Sequence, residues 1–140
     1  MPAPLIAALI FTVALLVTTA YFIMGSIPLL ILKHDTPLDA RFVRGFFNLY
    51  YKAAFATALA TAVCFALAAR PAVAFGASAL AAIALVLRRH IIPKMEQLGT
   101  KIQSNDMDAI PGFRKTHATA IVVNIVQLGV IVWSLVALGR

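Results

Sequence analysis

Four long apolar stretches, separated by short polar ones, set the pattern of this chain. Crossing about 30 Å of hydrocarbon at 1.5 Å per residue takes roughly 20 apolar residues in a helix. Residues 5–32, 46–69, 72–92 and 116–138 all reach that length. Helices satisfy their backbone hydrogen bonds within each segment, as a bilayer demands. Only Arg70 and Pro71 separate the second stretch from the third, which predicts a tight antiparallel hairpin, because proline ends one helix and fits the first turn of the next.

The start of the second helix is legible at single residues. Thr36, Pro37 and Asp39 supply an N-cap, a proline at the first helical position and an acid at the third. Run unbroken from there to Ala69, the helix would be roughly 50 Å long and its first turns would stand in the headgroups or the cytoplasm. Phe42, Phe46, Phe47, Tyr50 and Tyr51 would form an aromatic belt at that level. After the third span, Pro93 could open a short helix with Ile92, Met95, Leu98 and Ile102 on one side and Lys94, Gln97 and Lys101 on the other. That pattern predicts an amphipathic helix on the cytoplasmic surface, the alternative being an extension of the third helix. Residues 104–112 then read as a polar loop, with Pro111 and Gly112 as breakers.

Small residues four apart, Ala54, Ala58 and Ala62 on the second helix and Ala74, Ser78 and Ala82 on the third, suit close backbone approach in the hairpin. Pro28, soon after Gly25, should bend the end of the first span. The resulting fold class is all-α: an integral membrane four-helix bundle, antiparallel and up-down, forming one domain over residues 1–140, with a short amphipathic cytoplasmic helix between spans three and four.

Composition supports the membrane reading, since 62% of the 140 residues are hydrophobic and only 12% charged, against about 25% charged in soluble domains. Charge is also unevenly placed. Lys33, Arg41, Arg44, Lys52, Arg88, Arg89, Lys94, Lys101, Arg114 and Lys115 lie at one end of the spans and only Arg70 and Arg140 at the other. An excess of Lys and Arg marks the cytoplasmic side, so both termini are expected outside, in the periplasm of a bacterial inner membrane. All five acids, Asp35, Asp39, Glu96, Asp106 and Asp108, share the basic end. Positive-inside topology accounts for the net charge of +7 without a nucleic-acid partner. The expected partners are membrane lipids, with a homo-oligomer or another membrane protein as further options.

The opening segment lacks the basic n-region of a cleaved signal, and its apolar run is longer than a signal's hydrophobic region, so it reads as a retained span. Cys64 is the single cysteine, which leaves it a packing residue rather than half of a disulfide or part of a thiolate metal cluster.

Polar residues inside the spans point to where chemistry could sit. His117, Asn124, Gln127 and Ser134 are spaced seven, three and seven along the fourth span, which puts all four on one helical face turned into the bundle. They could hydrogen-bond across helices or line a polar cavity. Arg41, Arg44, Asn48 and Lys52, spaced three, four and four, share a face of the second helix. With no acid on any span to pair with them, they either snorkel to lipid phosphates or turn inward as an anion-attracting mouth. His34, His90 and His117 all fall at the basic end. His90 and His117 could converge on a metal or haem iron if the third and fourth helices are neighbours, though no ligand pair occurs on one helix and no cofactor is assigned. No nucleophile elbow, phosphate-binding glycine loop or intramembrane carboxylate is present, which disfavours hydrolytic chemistry and conventional ion-coupled transport.

The run Arg88, Arg89, His90, Ile91, Ile92 and Pro93, followed by Phe113, Arg114, Lys115, Thr116 and His117, then Asn124, resembles the second half of small bacterial four-span membrane proteins of uncharacterised function. Some of these are similar to anthrone-oxygenase-type proteins. Such families share a proline after the third span and an aromatic-x-x-x-His entry to the fourth, matched here by Pro93 and by Phe113 with His117. The resemblance implies the four-span fold much more than an activity.

Two classes of function are therefore expected. In the first, the bundle binds lipid, a hydrophobic small molecule or partner helices through a polar-lined interior with a basic cytoplasmic rim. The residues facing the ligand would be Arg41, Arg44, Asn48, Lys52, His90, His117, Asn124 and Gln127. In the second, the chain is an intramembrane enzyme of cofactor-free oxygenase type, with His117 as its base beside Asn124, Arg44 and Asn48. A haem or metal binder through His90 and His117 is the remaining alternative.

Overall fold

The computed structural model describes residues 1–138; Arg140, counted above at the less charged end, lies outside the described residues. Four α-helices follow one another, α1 (Ala3–Leu29), α2 (Pro37–Leu67), α3 (Pro71–Gln103) and α4 (Ala109–Leu138). Each helix is long and apolar enough to cross a membrane. Consecutive helices pack on each other, most extensively α2 on α3, and α4 closes the ring against α1. The result is an all-α, up-down four-helix bundle.

Each helix boundary has a local cause. At the start of α2, the Thr36 hydroxyl accepts the Asp39 backbone N–H at 3.2 Å, with Pro37 in the first turn, as the sequence predicts. The other end stops at Leu67, two residues earlier than expected. Ala69 adopts a left-handed backbone (φ 56°), while Ala69 N–H donates to Ala66 and Arg70 N–H to Phe65. These two bonds make a Schellman cap, which satisfies the last carbonyls and reverses the chain within two residues. Asn105 (φ 62°), with bonds from Asn105 to Ile102 and Asp106 to Lys101, closes α3 in the same way.

Two expectations around the third connection are corrected. The segment from Pro93 is helical and amphipathic, but it continues α3 without a break to Gln103 rather than forming a separate helix. Met95 and Ile102 on its apolar face are buried in the core, which carries the helix on through the proline. The polar loop is also shorter than expected, because α4 begins at Ala109 and takes Pro111 and Gly112 into its first turn. N–H groups there have no partner within the helix, so proline does no harm.

Packing on the inside is aromatic near the basic end and small-residue elsewhere. Phe22 of α1 stacks on Tyr50 and Phe46 (centroids 3.9 and 5.2 Å) and meets Phe47 edge-on at 4.7 Å. Phe47, Tyr50 and Tyr51 are therefore core residues, whereas Phe42 is exposed, so the anticipated aromatic belt is mostly interior. Gly25 makes room for this cluster: a Cβ there would sit 2.8 Å from the Phe46 ring. Ala54, Ala58 and Ala62 are buried as expected, but on α3 the buried small residues are Ala74, Ala77, Ala81 and Ala84, with Ser78 and Ala82 exposed. A three-four-three spacing follows the 3.6-residue turn more closely than a strict four.

Outward faces carry Ile10, Val17, Tyr21, Leu49, Phe75, Val126 and Trp133, all exposed. A bundle in water would hide such surface, whereas lipid accommodates it. The α1–α2 and α3–α4 connections lie at one end, so the charged residues named above gather there, opposite the α2–α3 turn.

Candidate functional site

The most polar part of the interior lies just inside the charged end, where the α1–α2 connection folds back over α4. His34 reaches it because its own backbone is left-handed (φ 58°), which breaks the direction of the chain after α1. Its neighbours Lys33 and Asp35 are exposed, whereas His34 is fully buried. Arg114 helps hold this corner by donating to the Leu30 carbonyl at 3.4 Å.

His117, in the third turn of α4 and fully buried, meets His34 there, with His34 Nε2 and His117 Nδ1 3.2 Å apart. One of these nitrogens donates and the other accepts, so a neutral pair shares one proton across the contact. The Phe47 ring stands perpendicular to His117 at 5.1 Å, and Phe113 packs on His34 at 5.4 Å. On the α1 side the Ser26 carbonyl faces His117. Leu30 N–H, which would otherwise close on that carbonyl, donates to Ile27 instead.

Two turns deeper, about 10 Å along α4, Asn124 is fully buried and faces the Tyr51 hydroxyl. Neither the Asn124 amide oxygen nor its nitrogen has a hydrogen-bond partner, and the same holds for Tyr51 Oη, His117 Nε2 and His34 Nδ1. A buried polar group left wholly unpaired typically costs about 1–3 kcal/mol, and the nearest groups here are the Tyr51 hydroxyl for Asn124, the Ser26 carbonyl for His117 and the Leu32 carbonyl for His34. Polar groups gathered inside a bundle in this way make it a candidate site.

Burial makes His34 a weaker base than an ordinary imidazole. Removal from water lowers its pKa, the Arg114 charge acts in the same sense, and the Leu32 carbonyl, Asp39 and Asp35 oppose it. Its neutral form, the form able to share a proton with His117, is thus favoured.

The predicted site residues separate into two groups. His117, Asn124 and Gln127 face inward as expected, while Ser134, further along the same face, is half-buried and its hydroxyl donates to its own helix at Val130. Arg44, Asn48, Arg41 and Lys52 lie away from this centre, along or beside the α2–α3 seam. Arg44 forms an ion pair with Glu96 at 2.8 Å, and the Asn48 side-chain oxygen accepts from Arg88 Nε at 3.0 Å. Glu96 finds Arg44 because α3 extends past Pro93, which corrects the expectation that no acid on a span could pair with the stripe. Arg41 and Arg44 border a groove of about 460 Å³ with Glu96, Thr100 and Gln103, and Lys52 is exposed.

His90 does not join His117. Its ring is exposed and its Nδ1 bonds to its own helix at the Val86 carbonyl, 2.8 Å away, while the imidazole beside His117 is that of His34. A His90–His117 haem or metal pair is therefore corrected. Among the described residues no group of three or more His, Cys, Asp or Glu side chains could hold a metal ion.

Sequence reading left out His34 and Tyr51 as members of the site. His34 stands in a polar run that reads as loop, with no periodicity to signal burial, and Tyr51 sits in an aromatic cluster that reads as belt. No protein family, curated protein or solved structure matches the chain.

Proposed function

We propose that this chain is a four-span protein of a bacterial inner membrane that binds a lipophilic small molecule carrying a hydrogen-bonding group. The basic end faces the cytoplasm, both termini face the periplasm, and membrane lipids surround the bundle. Asymmetric basic charge supports this orientation. One observation carries the binding reading: Asn124, Tyr51 and His117 hold buried polar atoms without a hydrogen bond of full geometry. A ligand's hydroxyl or carbonyl would give those atoms partners.

Mass spectrometry of small molecules carried through purification in a mild detergent tests this. A discrete lipophile retained by the native chain, and lost in Asn124→Ala and His117→Ala at equal folded yield, is the expected outcome. Recovery of bulk phospholipid alone would count against it.

The His34–His117 contact favours a second reading, in which His117 acts as a general base on such a ligand. His34 would then orient the His117 ring and fix its tautomer. This reading separates from pure binding by product: a base converts the retained lipophile, and His34→Gln slows conversion without releasing it.

A further inference from the structure

Buried polar side chains run the depth of the bundle beyond the site just described. On α1 they are Thr12, Thr19 and Ser26, seven residues apart and all buried. Seven residues is nearly two helical turns, so all three share one face. Their hydroxyls donate to carbonyls of their own helix, at Ala8, Leu15 and Ile23, which leaves oxygen lone pairs free to accept. α4 runs antiparallel and meets each in turn. His117 lies against the Ser26 carbonyl, Gln127 shares a cavity with Thr19, and Ser134 shares a cleft with Thr12.

The spaces along this track differ in size. At the end opposite the charge, a cleft of about 340 Å³ opens between α3 and α4 and reaches inward to Thr12 and Thr61. Next comes a cavity of about 10 Å³ at Thr19, Tyr50 and Gln127, close to the volume of a single water. Leu15, Leu80 and Ile131 line both spaces, so three apolar side chains stand between them. Beyond the small cavity lie the orphaned atoms of Asn124 and Tyr51, then His117, then His34 beneath the charged surface.

We propose that this track is a proton path through the bundle, closed by Leu15, Leu80 and Ile131. The histidine pair passes a proton without storing charge. A proton binds His34 Nδ1, the His34 Nε2 proton moves to His117 Nδ1, and the His117 Nε2 proton leaves to a water that relays it onward toward Asn124 and Tyr51. Each ring is neutral before and after, and rotation of the rings with tautomer exchange through water resets the pair for the next proton without returning the first. Protons can hop along hydroxyls, amides and single waters. A metal cation would need replacement ligands for its hydration shell, and all five carboxylates of the chain lie at the charged end. The apolar constriction acts as a dewetting barrier. This inference requires that the chain spans a membrane, but not that a lipophile binds.

The test uses the full chain reconstituted in phosphatidylcholine–phosphatidylglycerol vesicles containing a pH-sensitive dye, with a valinomycin-clamped potassium potential as driving force. Flotation with the vesicles and helical circular dichroism establish insertion first, and a chain that fails to float overturns the membrane reading itself. For inserted protein, Leu80→Ala is expected to acidify the vesicles several-fold faster than wild type. Adding His117→Phe in the same chain should return the rate to that of empty vesicles, while a trapped carboxyfluorescein dye stays inside throughout. Leu80→Ala vesicles no faster than empty ones overturn the proposal. So does a double variant as fast as Leu80→Ala, or dye leakage matching the proton rate.

Discussion

Replacing Asn124 with leucine separates a binding residue from a structural one. Asn124 is fully buried on α4, and neither end of its amide has a partner. If the amide served only to tie helices together, losing it would cost about 0.6 kcal/mol, as interhelical bonds in membranes do on average. Here the facing group is the Tyr51 hydroxyl, without a hydrogen bond of full geometry. Leucine has nearly the same volume, and its substitution relieves two unsatisfied groups at about 1–3 kcal/mol each. Incomplete relaxation of the surrounding side chains subtracts from that gain, so Asn124→Leu should stabilise the ligand-free bundle by about 1–3 kcal/mol. Thermal or denaturant unfolding in detergent, followed by circular dichroism, gives the number. A chain that is more stable yet no longer retains a lipophile that the native chain carries fits the proposal. Destabilisation by 1 kcal/mol or more would falsify the view that Asn124 is held there for a ligand.

Acid should weaken the fold through His34. Its folded-state pKa lies below the ordinary 6.5 because it is buried, so its contribution is fully present above pH 6.5 and falls as pH drops toward the folded value. The limiting slope is about 1.4 kcal/mol per pH unit for one proton. His34→Gln should flatten the acid side of the stability curve, and an unchanged curve would contradict this. The Arg44–Glu96 pair is partly exposed, at 32% and 62%, so a double-mutant cycle with alanine should give a coupling below about 1 kcal/mol; several kcal/mol would mean a far drier seam. Gly25→Ala should not bring the gain of about 1 kcal/mol usual for that change in a helix, because the new methyl meets Phe46. The gain should return in a Phe46→Ala background, and its presence in the native background would contradict the packing.

Most of the fold was legible because long apolar runs leave few choices. Four apolar runs of spanning length, the Thr36–Pro37–Asp39 cap and the Arg70–Pro71 turn each depend on local chemistry, and each stands in the structure. What the sequence hid was tertiary. Pro93 reads as a helix opener, but burial of Met95 and Ile102 carries α3 through it. Pro111 and Gly112 read as breakers, yet they fall where a helix tolerates them.

The site divides in the same way. Seven-residue spacing is enough to turn His117, Asn124 and Gln127 inward. Identifying His34 as the partner of His117 needs the left-handed turn that folds a polar loop residue into the core. Pairing Arg44 with Glu96 likewise needs the unbroken α3.

A bundle that spans the membrane with its charged end inside the cell makes a direct prediction about side-specific labelling. Single cysteines in a Cys64→Ala background, labelled in intact cells with a membrane-impermeant maleimide, read this out. Ser104→Cys, in the α3–α4 connection, should react only after the inner membrane is opened, and Ala69→Cys, in the α2–α3 turn, should react from the periplasm without opening. Labelling of Ser104→Cys from outside, or recovery of the chain in the soluble fraction, would contradict the account.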